Sequence, residues 1–189
     1  WGDNDYDECW VATDSSGDND YQAIAVTRTN SIGISDGGEV VVWGCETNDL
    51  YTEAPSGSSF RTIAASSGYG CDIGEVSGTA CAIMTSGLLR CWGRDATGIV
   101  SDVPSGYFEQ VSLNDNYLTS GSTGLSAETA CATSTGGEVT CWGGDDREIV
   151  SDVPSGSYVD ISVGIDHACA ISTGGALRCW GYGSGSTMG

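Results

Sequence analysis

Residues 169–181 read CAISTGGALRCWG, and three other stretches of the chain repeat this pattern. Residues 81–93 read CAIMTSGLLRCWG, residues 131–143 read CATSTGGEVTCWG, and residues 32–44 read IGISDGGEVVVWG. The Cys-bearing copies have Thr-Ser-Gly or Thr-Gly-Gly at their centre, where Gly supplies the positive φ that a tight hairpin turn needs. The pattern therefore predicts four copies of one short β-hairpin.

A second block precedes each hairpin and has the composition of a further strand. It reads YQAIAV at 21–26, FRTIAA at 60–65, FEQVSL at 108–113 and YVDISV at 158–163. The second and third copies carry insertions, at 66–79 and 114–129, between this block and the hairpin. We predict a single repeat array over residues 1–189, with units at about 1–42, 43–91, 92–141 and 142–181 and a tail at 182–189.

The Cys positions indicate disulfides across the hairpins. Residues equidistant from a hairpin turn face each other, at Cα distances of about 4.5–5.5 Å that a disulfide accepts. This geometry pairs Cys81 with Cys91, Cys131 with Cys141, and Cys169 with Cys179. In the first copy Ile32 and Val42 replace both Cys, which is an apolar pair suited to a cross-strand site.

Three Cys lie outside the hairpins, namely Cys9, Cys45 and Cys71. Cys45–Cys71 is the first choice for a fourth disulfide, and Cys9–Cys45 is the alternative. Nine Cys in 189 residues, mostly at fixed spacing, indicate an oxidised framework in an extracellular or periplasmic protein.

The charge is strongly acidic, with 26 Asp and Glu against six Arg and no Lys, for a net charge of −20. Such a chain is a poor partner for nucleic acid or for an anionic membrane, since both bind proteins through clusters of Lys and Arg. A solvated, self-repelling surface accounts for the acidity, and adaptation to high salt or binding of divalent cations are the alternatives.

Catalytic groups are scarce. The chain has one His, His167, and residues 33–37 match the G-x-S-x-G pattern only inside a predicted hairpin turn. Because no nucleophile and base are set side by side, we predict a protein that is not an enzyme.

The pattern H-A-C-A-I-x-T-x-G-x-L-x-C-W-G, complete at residues 167–181, resembles the regulator of chromosome condensation repeat in its Cys-bearing, secreted form. The resemblance implies an all-β, β-propeller-type architecture with four-stranded blades, and a structural role for His167. The nuclear members act as exchange factors and bind chromatin, which neither this charge nor these disulfides favour. Members usually have more than four blades, so we expect either a closed small propeller or an open arc completed by neighbouring subunits.

The function predicted from these features is a non-enzymatic extracellular scaffold that associates head to tail with other copies, as a subunit of a ring or a filament. The alternative is a discrete monomeric secreted binding domain, such as a receptor ectodomain, a lectin-like module or a protein inhibitor. Its partner would then be an extracellular protein or glycan, and Tyr69 and Tyr117 in the insertions would contribute to the binding patch.

The acidic N-terminal segment is the one candidate metal site. Asp3, Asp5 and Asp7 alternate as the oxygen ligands at the start of a calcium loop do. Glu8 stands where such a loop has Gly, so a solvated acidic loop is the competing interpretation. Calcium is the only cofactor that the sequence suggests.

Overall fold

The computed structural model describes residues 5, 7–57, 59–68, 71, 78–114 and 128–182. Within these residues the chain forms twelve short strands and one helical turn, α1 at Asp49–Thr52. None of its described helices is long and apolar enough to cross a membrane. The strands are β1 Tyr21–Val26, β2 Asn30–Ser35, β3 Val40–Gly44, β4 Phe60–Ala65, β5 Thr79–Met84, β6 Leu89–Gly93, β7 Phe108–Leu113, β8 Thr129–Ser134, β9 Val139–Gly143, β10 Tyr158–Val163, β11 His167–Ser172 and β12 Leu177–Gly181.

The strands form four antiparallel sheets of three, each in chain order. Sheet 1 is β1–β3, sheet 2 is β4–β6, sheet 3 is β7–β9 and sheet 4 is β10–β12. The resemblance implied four-stranded blades, whereas each described sheet has three strands. The linkers that follow Gly93 and Gly143 form turns. In the first of these linkers, Asp95 Oδ1 accepts a hydrogen bond from the backbone nitrogen of Val100, at 2.9 Å. The side chain thereby takes a backbone donor that a fourth strand would need for its ladder.

Hairpin register follows the Cys spacing. Cys131 lies directly across from Cys141, and in sheet 1 Ile32 lies directly across from Val42. The first strand of every sheet has an irregularity after its aromatic residue, as between Tyr158 and Asp160. One extra residue at that point brings Tyr158 to the same face as Ile161, because side chains otherwise alternate across a strand.

Successive sheets stack face to face, and one apolar cluster fills each junction. We call the face of a sheet that packs on the preceding sheet its front face, and the face that packs on the following sheet its back face. The fold is therefore all-β and β-propeller-type, as predicted. The back face of sheet 4 and the front face of sheet 1 remain exposed in part, so the described array is an open arc.

Candidate interaction faces

The junction between sheets 2 and 3 shows how two units bind each other. Cys81, Ile83 and Cys91 on the back face of sheet 2 pack against the front face of sheet 3, where Phe108 and Leu113 are among the buried residues. Cys81 and Ile83 are 0 % exposed and Cys91 is 8 % exposed. The disulfide is thus part of the apolar contact surface between units as well as a link within one hairpin.

The back face of sheet 4 carries the same kinds of residue without a following sheet. Ile171 is 39 % exposed and Leu177 is 65 % exposed, although their counterparts in sheet 1, Ile34 and Val40, are buried. Cys179 is exposed as well. This face therefore presents an apolar surface of the type that is buried at every junction within the chain.

The front face of sheet 1 is exposed at the complementary positions. Ile24 and Val26 are each 65 % exposed, whereas Ile161 and Val163, at the same positions in sheet 4, are 7 % and 8 % exposed. Exposed apolar pairs of this kind mark interaction surfaces more often than isolated apolar residues do. The two ends of the arc consequently present the two halves of one junction.

A repeated hydrogen bond fixes each linker to the sheet that follows it. The indole Nε1 of Trp92 donates to the carbonyl oxygen of Leu50 at 3.0 Å, and Trp142 donates in the same way to Ile99. Trp180 donates to Ile149 at 2.8 Å, and Trp43 donates to Glu8 at 2.9 Å.

The N-terminal segment therefore occupies the place of a linker against sheet 1. The Tyr21 hydroxyl also donates to the carbonyl oxygen of Ala12, at 2.6 Å. Segment 8–12 thus contacts the Tyr21 and Trp43 end of the front face, while Ile24 and Val26 stay exposed.

Four disulfides join Cys81 to Cys91, Cys131 to Cys141, Cys169 to Cys179, and Cys45 to Cys71. The three hairpin bridges each have a Cα–Cα distance of 4.0 Å, as close cross-strand neighbours do. The fourth bridge is the first of the two pairings that the sequence left open. Cys9 is exposed and is in none of the four.

A buried carboxylate that no sequence pattern indicated lies where the bases of the two insertions meet. Glu128, at the end of the second insertion, is 2 % exposed. Its two oxygens accept from Ser66 Oγ and from Thr79 Oγ1, each at 3.1 Å, and these residues stand at the two ends of the first insertion. Burial raises the pKa of Glu128 above its ordinary value, against the opposing effects of the Ser66 hydroxyl, the Arg94 charge and the Thr79 hydroxyl.

No sequence pattern distinguished Glu128, because an acidic residue in a Ser- and Gly-rich loop looks solvated. The contacts bring the bases of the two insertions together. Loops that start side by side on neighbouring units can form one composite surface.

The structure brings none of the other predicted site residues together among the residues it describes. Asp3, Tyr69 and Tyr117 lie outside the described residues. Asp5 and Asp7 are exposed, and the described part of the chain contains no group of three His, Cys, Asp or Glu side chains able to hold a metal ion. Calcium binding through Asp3, Asp5 and Asp7 stays a prediction.

His167 is exposed and begins β11, directly across from Gly181. Residues 33–37 run from β2 into the hairpin turn. The G-x-S-x-G match is therefore not on a strand-to-helix turn.

Stacked three-stranded sheets, joined by linkers pinned to a Trp in the next sheet, define a β-propeller-type repeat protein. Residues 158–185, which cover sheet 4, match the family model of the regulator of chromosome condensation (RCC1) repeat. The resemblance indicated by the sequence is thereby confirmed for this unit, and the four disulfides are consistent with the Cys-containing form of the repeat. No curated protein sequence matches the chain significantly.

Solved structures share the fold at low sequence identity. The ectodomain of the Physcomitrella patens receptor kinase CR4 has a TM-score of 0.60 and 20 % identity, over 87 % of this chain and 40 % of that one. Human WBSCR16 has a TM-score of 0.61 and 16 % identity, over 95 % of this chain and 56 % of that one.

Prp20p from Saccharomyces cerevisiae has a TM-score of 0.58 and 13 % identity, over 85 % of this chain and 45 % of that one. The chain thus spans about half the length of each of these three structures. At these identities the likeness shows the fold alone.

Proposed function

We propose that this chain is a non-enzymatic extracellular scaffold subunit that associates head to tail with other copies of itself. One observation carries the proposal: the back face of sheet 4 and the front face of sheet 1 expose the apolar positions that are buried together at each internal junction. The four disulfides support an oxidising, extracellular setting.

The two end faces would gain free energy from burial, which a polar solvated surface would not. Fully burying a side chain such as Ile24 or Leu177 stabilises by about 1.5–3 kcal/mol, whereas association costs several kcal/mol of translational and rotational freedom. Several such residues on each side must therefore contribute. We expect an association that depends on concentration rather than a permanent dimer.

Head-to-tail contacts close into a ring or continue as a filament, depending on the rotation at each contact. Two copies would bring together eight sheets, which lies within the range of about four to eight blades in closed propellers. A two-copy ring and an open filament are therefore the two forms to distinguish.

The test uses single variants that each place a charged side chain on one of the two apolar faces. Ile24→Asp changes the front face of sheet 1, and Leu177→Asp changes the back face of sheet 4. Both residues are 65 % exposed, so folding should be unchanged. Light scattering and negative-stain microscopy of the wild type should show dimeric rings or filaments, and each variant alone should be monomeric. Leu88→Asp, at a 47 % exposed site outside both faces, is the matched control and should associate normally.

Mixing the two variants tests the polarity of the contact. Each variant retains the face that the other has lost, so the mixture should form a one-to-one dimer and nothing larger. A mixture that stays monomeric would contradict head-to-tail association, and a wild-type particle that stays at 19.4 kDa at high concentration would contradict association altogether.

Further repeats in a longer chain would cover the same two faces. The intact mass of the secreted protein should therefore be measured beside these variants, and a mass near twice 19.4 kDa would contradict self-association as the native function.

A monomeric binding domain is the second candidate, and the contact between Glu128, Ser66 and Thr79 favours it. That contact places the origins of both insertions together, as a loop-built binding surface requires. Tyr69 and Tyr117 belong to these insertions. Replacing both by Ser should abolish capture of an extracellular partner without changing the association state if this candidate is correct, and should have no effect on capture if it is wrong.

A further inference from the structure

A side-chain donor crosses each of the first two junctions between sheets. In sheet 1 it is Gln22, whose Nε2 donates to the carbonyl oxygen of Ser35 at 2.9 Å and to that of Phe60, in sheet 2, at 3.3 Å. In sheet 2 it is Arg61, whose Nη2 donates to the carbonyl oxygen of Phe108, in sheet 3, at 2.7 Å. Both donors are the second residue of the first strand, and both reach the aromatic residue that begins the next sheet.

At the third junction, the second residue of the first strand is a hydrogen-bond acceptor and not a donor. Glu109 is the second residue of β7, and a carboxylate cannot donate to the carbonyl oxygen of Tyr158, the aromatic residue that begins sheet 4. Its Oε2 instead accepts from Arg61 Nη2, at 2.9 Å, across the second junction.

A cavity of about 360 Å³ lies at this third junction. It is lined by ten residues, among them Glu109, Gln110, Thr133, Ser134, Tyr158 and Val159. Ser134 occupies the position of Ser35, whose carbonyl accepts from Gln22 in sheet 1. The cavity thus lies where the other junctions hold the polar end of Gln22 or Arg61.

Thr133 provides a second, independent sign of a ligand. Its hydroxyl is buried, with the residue 1 % exposed, and within the described residues Oγ1 has no hydrogen-bond partner. The corresponding positions in sheets 1 and 2 hold Ile34 and Ile83. A buried hydroxyl without a partner costs free energy that an Ile does not, so its presence against a cavity is unexplained by packing.

We infer that this cavity binds the guanidinium group of an arginine side chain from a partner protein. The cavity is lined by Glu109, whose carboxylate also pairs with Arg61 through Oε2, by the hydroxyl of Thr133 and by strand residues of two sheets. Acceptors of these kinds favour a cationic donor of several hydrogen bonds. Arg61 shows, one junction earlier, that a guanidinium fits between two sheets and reaches the carbonyl. The net charge of −20 attracts a basic partner and disfavours an acidic one. This inference does not depend on self-association.

The test is a titration followed by amide NMR, with Nα-acetyl-arginine methylamide as the probe. Millimolar binding is expected, with shifts confined to the backbone amides of residues 109–110, 133–137, 158–159 and 173. The citrulline analogue has the same shape without the charge and should bind about tenfold more weakly. Shifts spread over the whole acidic surface, or equal binding of the two probes, would overturn the inference.

Two variants act on the cavity itself. Glu109→Gln removes the carboxylate and supplies a donor like Gln22, and Thr133→Ile fills the space as Ile34 and Ile83 do. Each should lower the affinity for the arginine probe about tenfold or more while the melting temperature is maintained or raised. Glu46→Gln, at an exposed site in the linker between sheets 1 and 2, controls for the loss of one charge and should bind as the wild type does. Binding that survives both cavity variants would place the probe elsewhere and refute the site.

Discussion

Protonation of the Glu128 carboxylate should change the free energy of unfolding of the whole protein. Its folded-state pKa lies above the ordinary value of 4.5, chiefly because burial disfavours the carboxylate. In the pH range just above 4.5 the folded protein therefore binds more protons here than the unfolded chain does. The contribution of Glu128 to stability is complete below that range and is lost as the pH rises through the folded-state pKa.

We predict that Glu128→Gln raises the free energy of unfolding at pH 7 by about 1 kcal/mol, because the neutral amide avoids the cost of a buried charge. The amide can still accept from Ser66 and can donate to the hydroxyl oxygen of Thr79. Urea denaturation between pH 4 and pH 8 measures the effect, and the variant should lose the part of the pH dependence that lies above 4.5. An exposed counterpart, Glu138→Gln, should retain it. A variant less stable than the wild type at pH 7 would mean that the charged form is the one the site favours.

At the scale of the hairpin, the disulfide and the apolar pair are alternative solutions to one contact. Cys131–Cys141 lies at the junction between sheets 3 and 4, and Ile32 and Val42 take the equivalent positions in sheet 1. We predict that the double variant Cys131→Ile, Cys141→Val folds with a free energy of unfolding lower by about 2–3 kcal/mol, the value of closing so short a loop. Urea denaturation under non-reducing conditions measures the difference.

The matched control is the double variant Cys131→Ser, Cys141→Ser. It loses the same covalent link and also places two hydroxyls in an apolar junction, so it should be less stable than the Ile and Val pair by about 1–3 kcal/mol per hydroxyl. Equal stability of the two pairs would show that the side chains at this position contribute nothing to packing between sheets.

The spacing of Cys and Gly predicted these hairpins because both signals are local. Residues equidistant from a turn must face each other, so the register of Cys81 with Cys91 follows from the sequence alone. The resemblance implied four strands in each sheet, whereas each sheet of the described residues has three. The expected number came from the resemblance and not from the residues of the linkers. The side chain of Asp95 takes the backbone nitrogen of Val100, a contact that no periodic pattern reveals.

The candidate sites were less predictable for the same reason. The exposed state of Ile24 and Leu177 depends on which units have neighbours, and their own residue types are those of buried positions. Thr133 and Glu109 become notable only when the junctions are compared in space. Long-range contacts of this kind are set by the stacking of sheets and leave no signal within one unit.

At the scale of the whole molecule, head-to-tail association must overcome electrostatic repulsion between the copies. Two copies that each carry −20 repel each other, while the contact between their end faces is apolar. Salt screens the repulsion, with a Debye length of about 10 Å at 0.1 M and about 30 Å at 0.01 M, and leaves the burial of apolar surface largely unaffected. Association should therefore tighten as sodium chloride is raised.

We predict at least a tenfold fall in the dissociation constant, roughly 1.4 kcal/mol, between about 0.01 M and 0.3 M salt, measured by sedimentation velocity. The Ile24→Asp variant should remain monomeric throughout, which separates screening from general salting-out. An interface made of ion pairs would behave oppositely and weaken with salt. A dissociation constant that rises with sodium chloride would therefore show that the two apolar faces are not the contact, even if the protein forms rings or filaments.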